Sequence, residues 1–147
     1  MALVWMNTGS LVLAQEEGET KTIIQYRKIF MEAKEKHHQA IKLLVTKELS
    51  LPSHVITHAE ALKNMANDML LLFPKDSMGA KSRVSPNIWN KDGSLSQGFI
   101  AQVEKMKEEA TKMVKVAQAG DMAAVQKQLR SMTADGCRSC HTLYRIE

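Results

Sequence analysis

Aromatic side chains make up only 5% of these 147 residues, and seven Gly, three Pro and two Cys complete the scarcities. So few turn-forming residues exclude a β-sandwich or barrel, which needs many tight reversals. Two cysteines exclude a disulfide-dense scaffold. No apolar run reaches the roughly 18 residues of a membrane-spanning helix. Neither sign of charge dominates, since 20 Lys and Arg against 16 Asp and Glu leave a net charge of +4. The basic residues are not clustered as on a nucleic-acid-binding surface. Catalytic acid–base pairs, a Gly-rich phosphate loop and a nucleophile constellation are also missing, so no enzyme is expected. What the chain does hold is 44% apolar residues, enough at this length for one domain around a single core.

Those apolar residues recur at alternating steps of three and four, the signature of amphipathic helices. The spacing predicts a first helix from about Thr20 to Glu48, with Ile23, Tyr26, Arg27, Phe30, Met31, Ala33, His37, Ile41 and Leu44 near one face. Pro52 ends that segment, and Ser53 is the expected cap of the second helix. The second repeats as Val55, Ala59, Leu62, Ala66, Met69 and Phe73, with Pro74 as its stop. Residues 74–95 lack periodicity and form the one long connection. The third helix reads Phe99, Val103, Met106, Ala110, Met113 and Ala117. Gly120 and Asp121 make a stop and a new cap, and the fourth helix carries Met122, Val125, Leu129 and Met132 before Gly136. Two short links and one longer one join four such helices into an all-α, antiparallel up-down four-helix bundle.

Residues 1–14 carry no charged side chain and end in Val12-Leu13-Ala14, ahead of Glu16, Glu17 and Glu19. This reads as the remnant of a secretory signal peptide without its basic start, leaving residues 15–147 as the domain and a periplasmic location. An apolar tail is the other reading.

One motif carries chemistry. Cys137-Arg138-Ser139-Cys140-His141 is C-x-x-C-H, the attachment signal for c-type haem. On a helix, positions i, i+3 and i+4 share a face, so two thiols can add to two vinyl groups while the adjacent imidazole reaches the iron. Three other readings compete. A thioredoxin-like C-x-x-C expects a βαβ setting, a structural zinc site expects four ligands, and a disulfide between residues three apart is strained.

A C-x-x-C-H near the end of a four-helix chain resembles the cytochrome c′ family, the class II c-type cytochromes. Cys137 to Arg145 is similar to the family's C-x-x-C-H-x-x-Y-R ending. Tyr26-Arg27-Lys28-Ile29-Phe30-Met31 resembles its first-helix Y-R segment, and Leu72-Phe73-Pro74 with Ser82 to Trp89 resembles its loop before the third helix. The likeness spans about residues 20–147 and implies one covalent haem c. It implies that Arg27 lies near a haem propionate and Arg145 near the proximal imidazole of His141. It also implies that Met31 occupies the distal position, where a thioether gives a six-coordinate electron carrier. A non-ligand there leaves the iron open to nitric oxide or carbon monoxide. Met31 as core filler remains a further reading, because ten Met are spread through the chain.

Other candidates are weaker. His37 and His38 lie on the order of 10 Å beyond Met31 along the helix. His54 and His58 form an i, i+4 pair able to hold an adventitious metal, or a solvated face. Phe73 and Trp89 read as anchors of the long connection. Lys28, Lys34, Lys36, Lys105, Lys107, Lys112 and Lys115 make a basic surface for steering an acidic redox partner protein, or a solvated one. Relatives commonly dimerise through the first two helices, but no second apolar face is evident in these seams.

Overall fold

The computed structural model describes residues 8–75, 77–78 and 82–146, with side chains from Gly18 onward. The first half of the expected signal remnant, residues 1–7, lies outside the described residues. Helix α1 spans Thr8–Thr46 and so begins well before the expected Thr20. Its end is set by Glu48, whose φ of 51° is left-handed, while Leu49 N–H reaches back to the Leu44 carbonyl at 3.0 Å. This is the wrap that satisfies late helical carbonyls.

Helix α2 spans Pro52–Asn67. Proline sits in its first turn, where the missing N–H costs nothing, and Leu51 precedes it without a side-chain cap. Ser53 is therefore not the cap. The helix also closes before Pro74, continuing as a 3-10 turn over Met69–Leu72. A second 3-10 turn, Pro86–Ile88, lies in the long connection. Helix α3 spans Gln97–Gln118 and is capped by Ser96, which accepts from Phe99 N–H at 3.4 Å. Gly120 takes φ 74°, and Asp121 caps α4 (Met122–Ser131) by accepting from Ala124 N–H at 3.0 Å. Both were expected.

The last helix does not end near Gly136. It widens into a π-helical stretch, Met132–Arg138, and continues as α5, Ser139–Tyr144. Here the i→i−4 ladder is interrupted, and the Asp135 carbonyl accepts instead from the Ser139 hydroxyl and from Gln102 Nε2, the latter at 2.9 Å. Gln102 also donates to Ser139 Oγ at 2.5 Å. A side chain on α3 thus holds the widened turn open.

Helix α1 packs on α2 and α4, and α3 packs on α2, α4, the π stretch and α5. Sequence neighbours touch and the chain closes α4 against α1, which is the up-down four-helix bundle. The core is the predicted one on α2 and α3: Val55, Ala59, Leu62, Ala66, Met69 and Phe73 meet Phe99, Val103, Met106, Ala110, Met113 and Ala117, all buried. Helix α1 keeps most of its expected face, with Arg27, Phe30, Ile41 and Leu44 buried and Ile23, Met31, Ala33 and His37 half-buried. Tyr26 is 52% exposed, and the buried set is Ile24, Arg27, Phe30, Lys34, Ile41 and Leu44.

Candidate functional site

The two thiols sit where the widened turn gives way to α5. Cys137 and Cys140 are free, half-buried and packed against the core. Burial raises both thiol pKa values, that of Cys140 to about 11, so both groups are neutral at physiological pH. His141 follows on the exposed side. Desolvation holds its imidazole below the usual pKa, Arg145 and then Lys34 add to the effect, and Glu35 opposes it.

Facing the thiols from α1 is Lys34, only 9% exposed. Desolvation lowers its ammonium to about 8, and the groups that would oppose this, once ionised, are Cys137 and Cys140 rather than a carboxylate. Lys34 is thus not part of the basic surface, as the helix pattern had placed it. It lies one turn beyond Met31, which is half-buried and packed on the core. A lysine three residues after Met31 and seven after Arg27 was a visible signal, masked by the usual preference of lysine for solvent. Beside it, His38 Nε2 lies 2.7 Å from Thr133 Oγ1, tying α1 to the start of the π stretch.

Arg27 goes elsewhere. Its Nη1 donates to the Leu72 carbonyl at 2.9 Å and to Ser77 Oγ at 3.0 Å, and its Nη2 to the Ser77 carbonyl at 2.7 Å and Ser82 Oγ at 2.8 Å. The guanidinium also lies 4.9 Å from the Phe73 ring centroid. Four of its five N–H donors are therefore spent on the chain itself. The expected forked pairing with a propionate is not available in this arrangement, because the long connection supplies the acceptors.

That connection also latches the C-terminal segment. Ser85 N–H donates to the Tyr144 carbonyl at 2.9 Å, Ile146 N–H to Arg83 at 3.1 Å, and Val84 pairs antiparallel with Arg145. Phe99 stacks edge-on with Phe73 at 4.8 Å and with Tyr144 at 5.2 Å. Trp89 Nε1 donates to the Phe73 carbonyl at 3.2 Å, so Phe73 and Trp89 anchor the connection as expected. The latch brings Arg83 alongside the motif. A cleft of about 500 Å³ is lined by Arg83, Thr133, Cys137, Arg138, His141, Thr142 and Arg145.

The family model for cytochrome c′ matches residues 22–145. The chain belongs to the cytochrome c′ family. It is 28% identical over 123 residues to cytochrome c′ of Pararhodospirillum photometricum, covering 83% of this chain and 94% of that one. It is 26% identical over 125 residues to the Rhodospirillum rubrum protein, covering 84% and 82%. Among solved structures, a cytochrome c′ with ligand-controlled dimer dissociation matches with TM-score 0.77 at 20% identity, covering 87% of this chain and 97% of that one. A nitric oxide complex of a variant from Alcaligenes xylosoxidans matches with TM-score 0.76 at 19% identity, covering 87% and 96%.

Cytochromes c′ bind one covalent haem c, and this chain is one of them. Its residues fit that group. Two free thiols and an imidazole stand at one helix end, beside a cleft whose three arginines suit a cofactor bearing two carboxylates. The zinc and disulfide readings find no support: among the described residues no three His, Cys, Asp or Glu side chains form a metal cluster, and the thiols are unpaired.

Proposed function

We propose that this cytochrome c′ carries single electrons between redox partner proteins in the periplasm. Cys137 and Cys140 then hold the haem by thioether bonds, His141 is the proximal ligand and Met31 the distal one. When bound, the haem supplies a one-electron ferric/ferrous couple at its iron. The observation that carries the reading is the buried Lys34 ammonium, which faces the two thiols from α1 one turn beyond the half-buried Met31.

Each residue has a task that follows from its setting. Desolvation, Arg145 and Lys34 keep the His141 imidazole neutral, so a lone pair is available for a metal. Met31 offers a soft donor that favours the ferrous state. The Lys34 cation, in a low-dielectric setting, disfavours added positive charge and pulls the same way. Arg83, Arg138 and Arg145 present guanidinium donors to carboxylates at the cleft. No turnover of substrate is required of any of them.

Partner encounter has less basic surface to use than the composition implied. Lys107 pairs with Glu104 at 2.6 Å and Lys112 with Glu109 at 2.6 Å, while Lys105 lies 3.8 Å from Asp135. A second copy of the chain is the proposed partner for α1, whose outer side leaves Tyr26, Ile29 and Leu43 more than half exposed. No helix among the described residues is long and apolar enough to cross a membrane.

A second reading has its own support. A structural neighbour is a nitric oxide complex, which favours a five-coordinate haem that binds nitric oxide or carbon monoxide. The visible and near-infrared spectra of the purified haem protein separate the two. The carrier shows a low-spin ferric spectrum with a thioether-to-iron charge-transfer band that disappears in Met31→Leu. A high-spin spectrum as purified, unchanged in Met31→Leu, overturns the carrier in favour of the gas binder.

A further inference from the structure

Away from the haem motif, α1 and α2 bring two histidines together that lie 21 positions apart in the chain. His37 Nδ1 and His58 Nδ1 are 2.9 Å apart, with ring centroids 5.2 Å apart and ring planes inclined at 53°. Both side chains are half-buried between the helices. For two neutral rings this contact requires one to carry its proton on Nδ1 and the other on Nε2. Two imidazole nitrogens aimed at each other across a helix pair also describe two ligands converging on one point.

We propose that His37 and His58 form a clip for a divalent transition metal ion of the zinc, copper or nickel class, bridging α1 and α2. An ion about 2.05 Å from each nitrogen with a tetrahedral angle separates the nitrogens by about 3.3 Å. The helices or the rings then open by about 0.4 Å, within the reach of side-chain rotation. Imidazole is the donor this metal class prefers, whereas calcium and magnesium take oxygen ligands. Desolvation, with the charges of His37 and His54, holds His58 below its usual pKa, which keeps its nitrogen free for a metal near neutral pH.

The clip supplies two protein ligands, because no three such side chains converge among the described residues. Water completes the coordination, with the exposed His54, one turn before His58, next in line on α2. Such a site is weaker than a closed structural zinc centre, yet it ties two helices together and stabilises the fold in proportion to metal occupancy. It does not rest on the assignment of the haem ligands.

The test is calorimetric titration of the haem-loaded protein with Zn²⁺, beside His37→Gln, His58→Gln and, as a control, His38→Gln. The expected result is one Zn²⁺ per chain, affinity reduced about tenfold or more in each of the first two variants, and unchanged affinity in His38→Gln. Zn²⁺ also raises the unfolding temperature of the parent and not of His37→Gln or His58→Gln, while haem absorption is the same throughout. Saturable binding that survives in both His37→Gln and His58→Gln overturns the proposal. So does the absence of binding to the parent at about 1 mM Zn²⁺, a concentration at which even a weak two-ligand site fills.

Discussion

The α2–α3 seam and the α1–C-terminal seam are built from different materials. Between α2 and α3 the buried residues are apolar apart from Glu109, which accepts from Gln128 of α4, and Phe99, Val103, Ala59 and Leu62 are almost entirely out of solvent. Between α1 and the C-terminal helix the inward positions include Lys34, His38 and two thiols, with Thr133 hydrogen-bonded across. One side of the bundle is therefore packed for stability, while the other gives up stability to place chemistry. A cation beside neutral thiols is tolerated because the apolar seam supplies the surplus.

That contrast breaks most sharply on the apolar side. Phe99→Ala removes a ring that touches both Phe73 and Tyr144, so a loss of about 3–5 kcal/mol is expected from denaturant unfolding. A loss below about 1 kcal/mol would mean that the α2–α3 seam does not carry the fold. On the polar side the sign reverses. Lys34→Met exchanges a buried cation for an apolar chain of similar length. The depression of its pKa from 10.5 to about 8 corresponds to a gain on the order of 3 kcal/mol at neutral pH.

The pH dependence checks the same residue. The folded state holds Lys34 below its unfolded pKa, so the unfolded chain binds more protons between about pH 8 and 10.5. Lys34 therefore contributes a rise of stability with pH across that window, read as the difference in denaturant midpoints between the parent and Lys34→Met. The smallest effect sharpens the boundary between the two sides. Gln102→Ala removes the donor from α3 to the Asp135 carbonyl, leaving Ser139 as partner, and about 1 kcal/mol of destabilisation is expected from the same unfolding assay.

The same division explains which features were legible in the sequence. The apolar residues of the α2 and α3 seams recur with a regular helical period, so they could be read off directly, as could the Gly120–Asp121 break. On α1 two positions departed from the expected face, Lys34 being buried and Tyr26 exposed, because hydrophobicity favours neither a lysine inside nor a tyrosine outside. The C-x-x-C-H spacing was local and therefore visible. The widened turn that carries it was not, since it depends on Gln102, more than thirty residues away. The acceptors that occupy Arg27 come from Leu72, Ser77 and Ser82, and the partner of His37 comes from α2. Each is a consequence of tertiary approach that no short motif encodes.

Gly136 lies in the middle of the widened turn, and a Cβ built there would come 2.7 Å from Met106 Sδ on α3. The backbone ahead of the thiols thus rests on a methionine sulfur with no side chain in between. Any side chain added at this spot meets that sulfur, so either the Met106 side chain or the turn must shift. The close approach of α3 to the turn that carries the thiols depends on a missing methyl group.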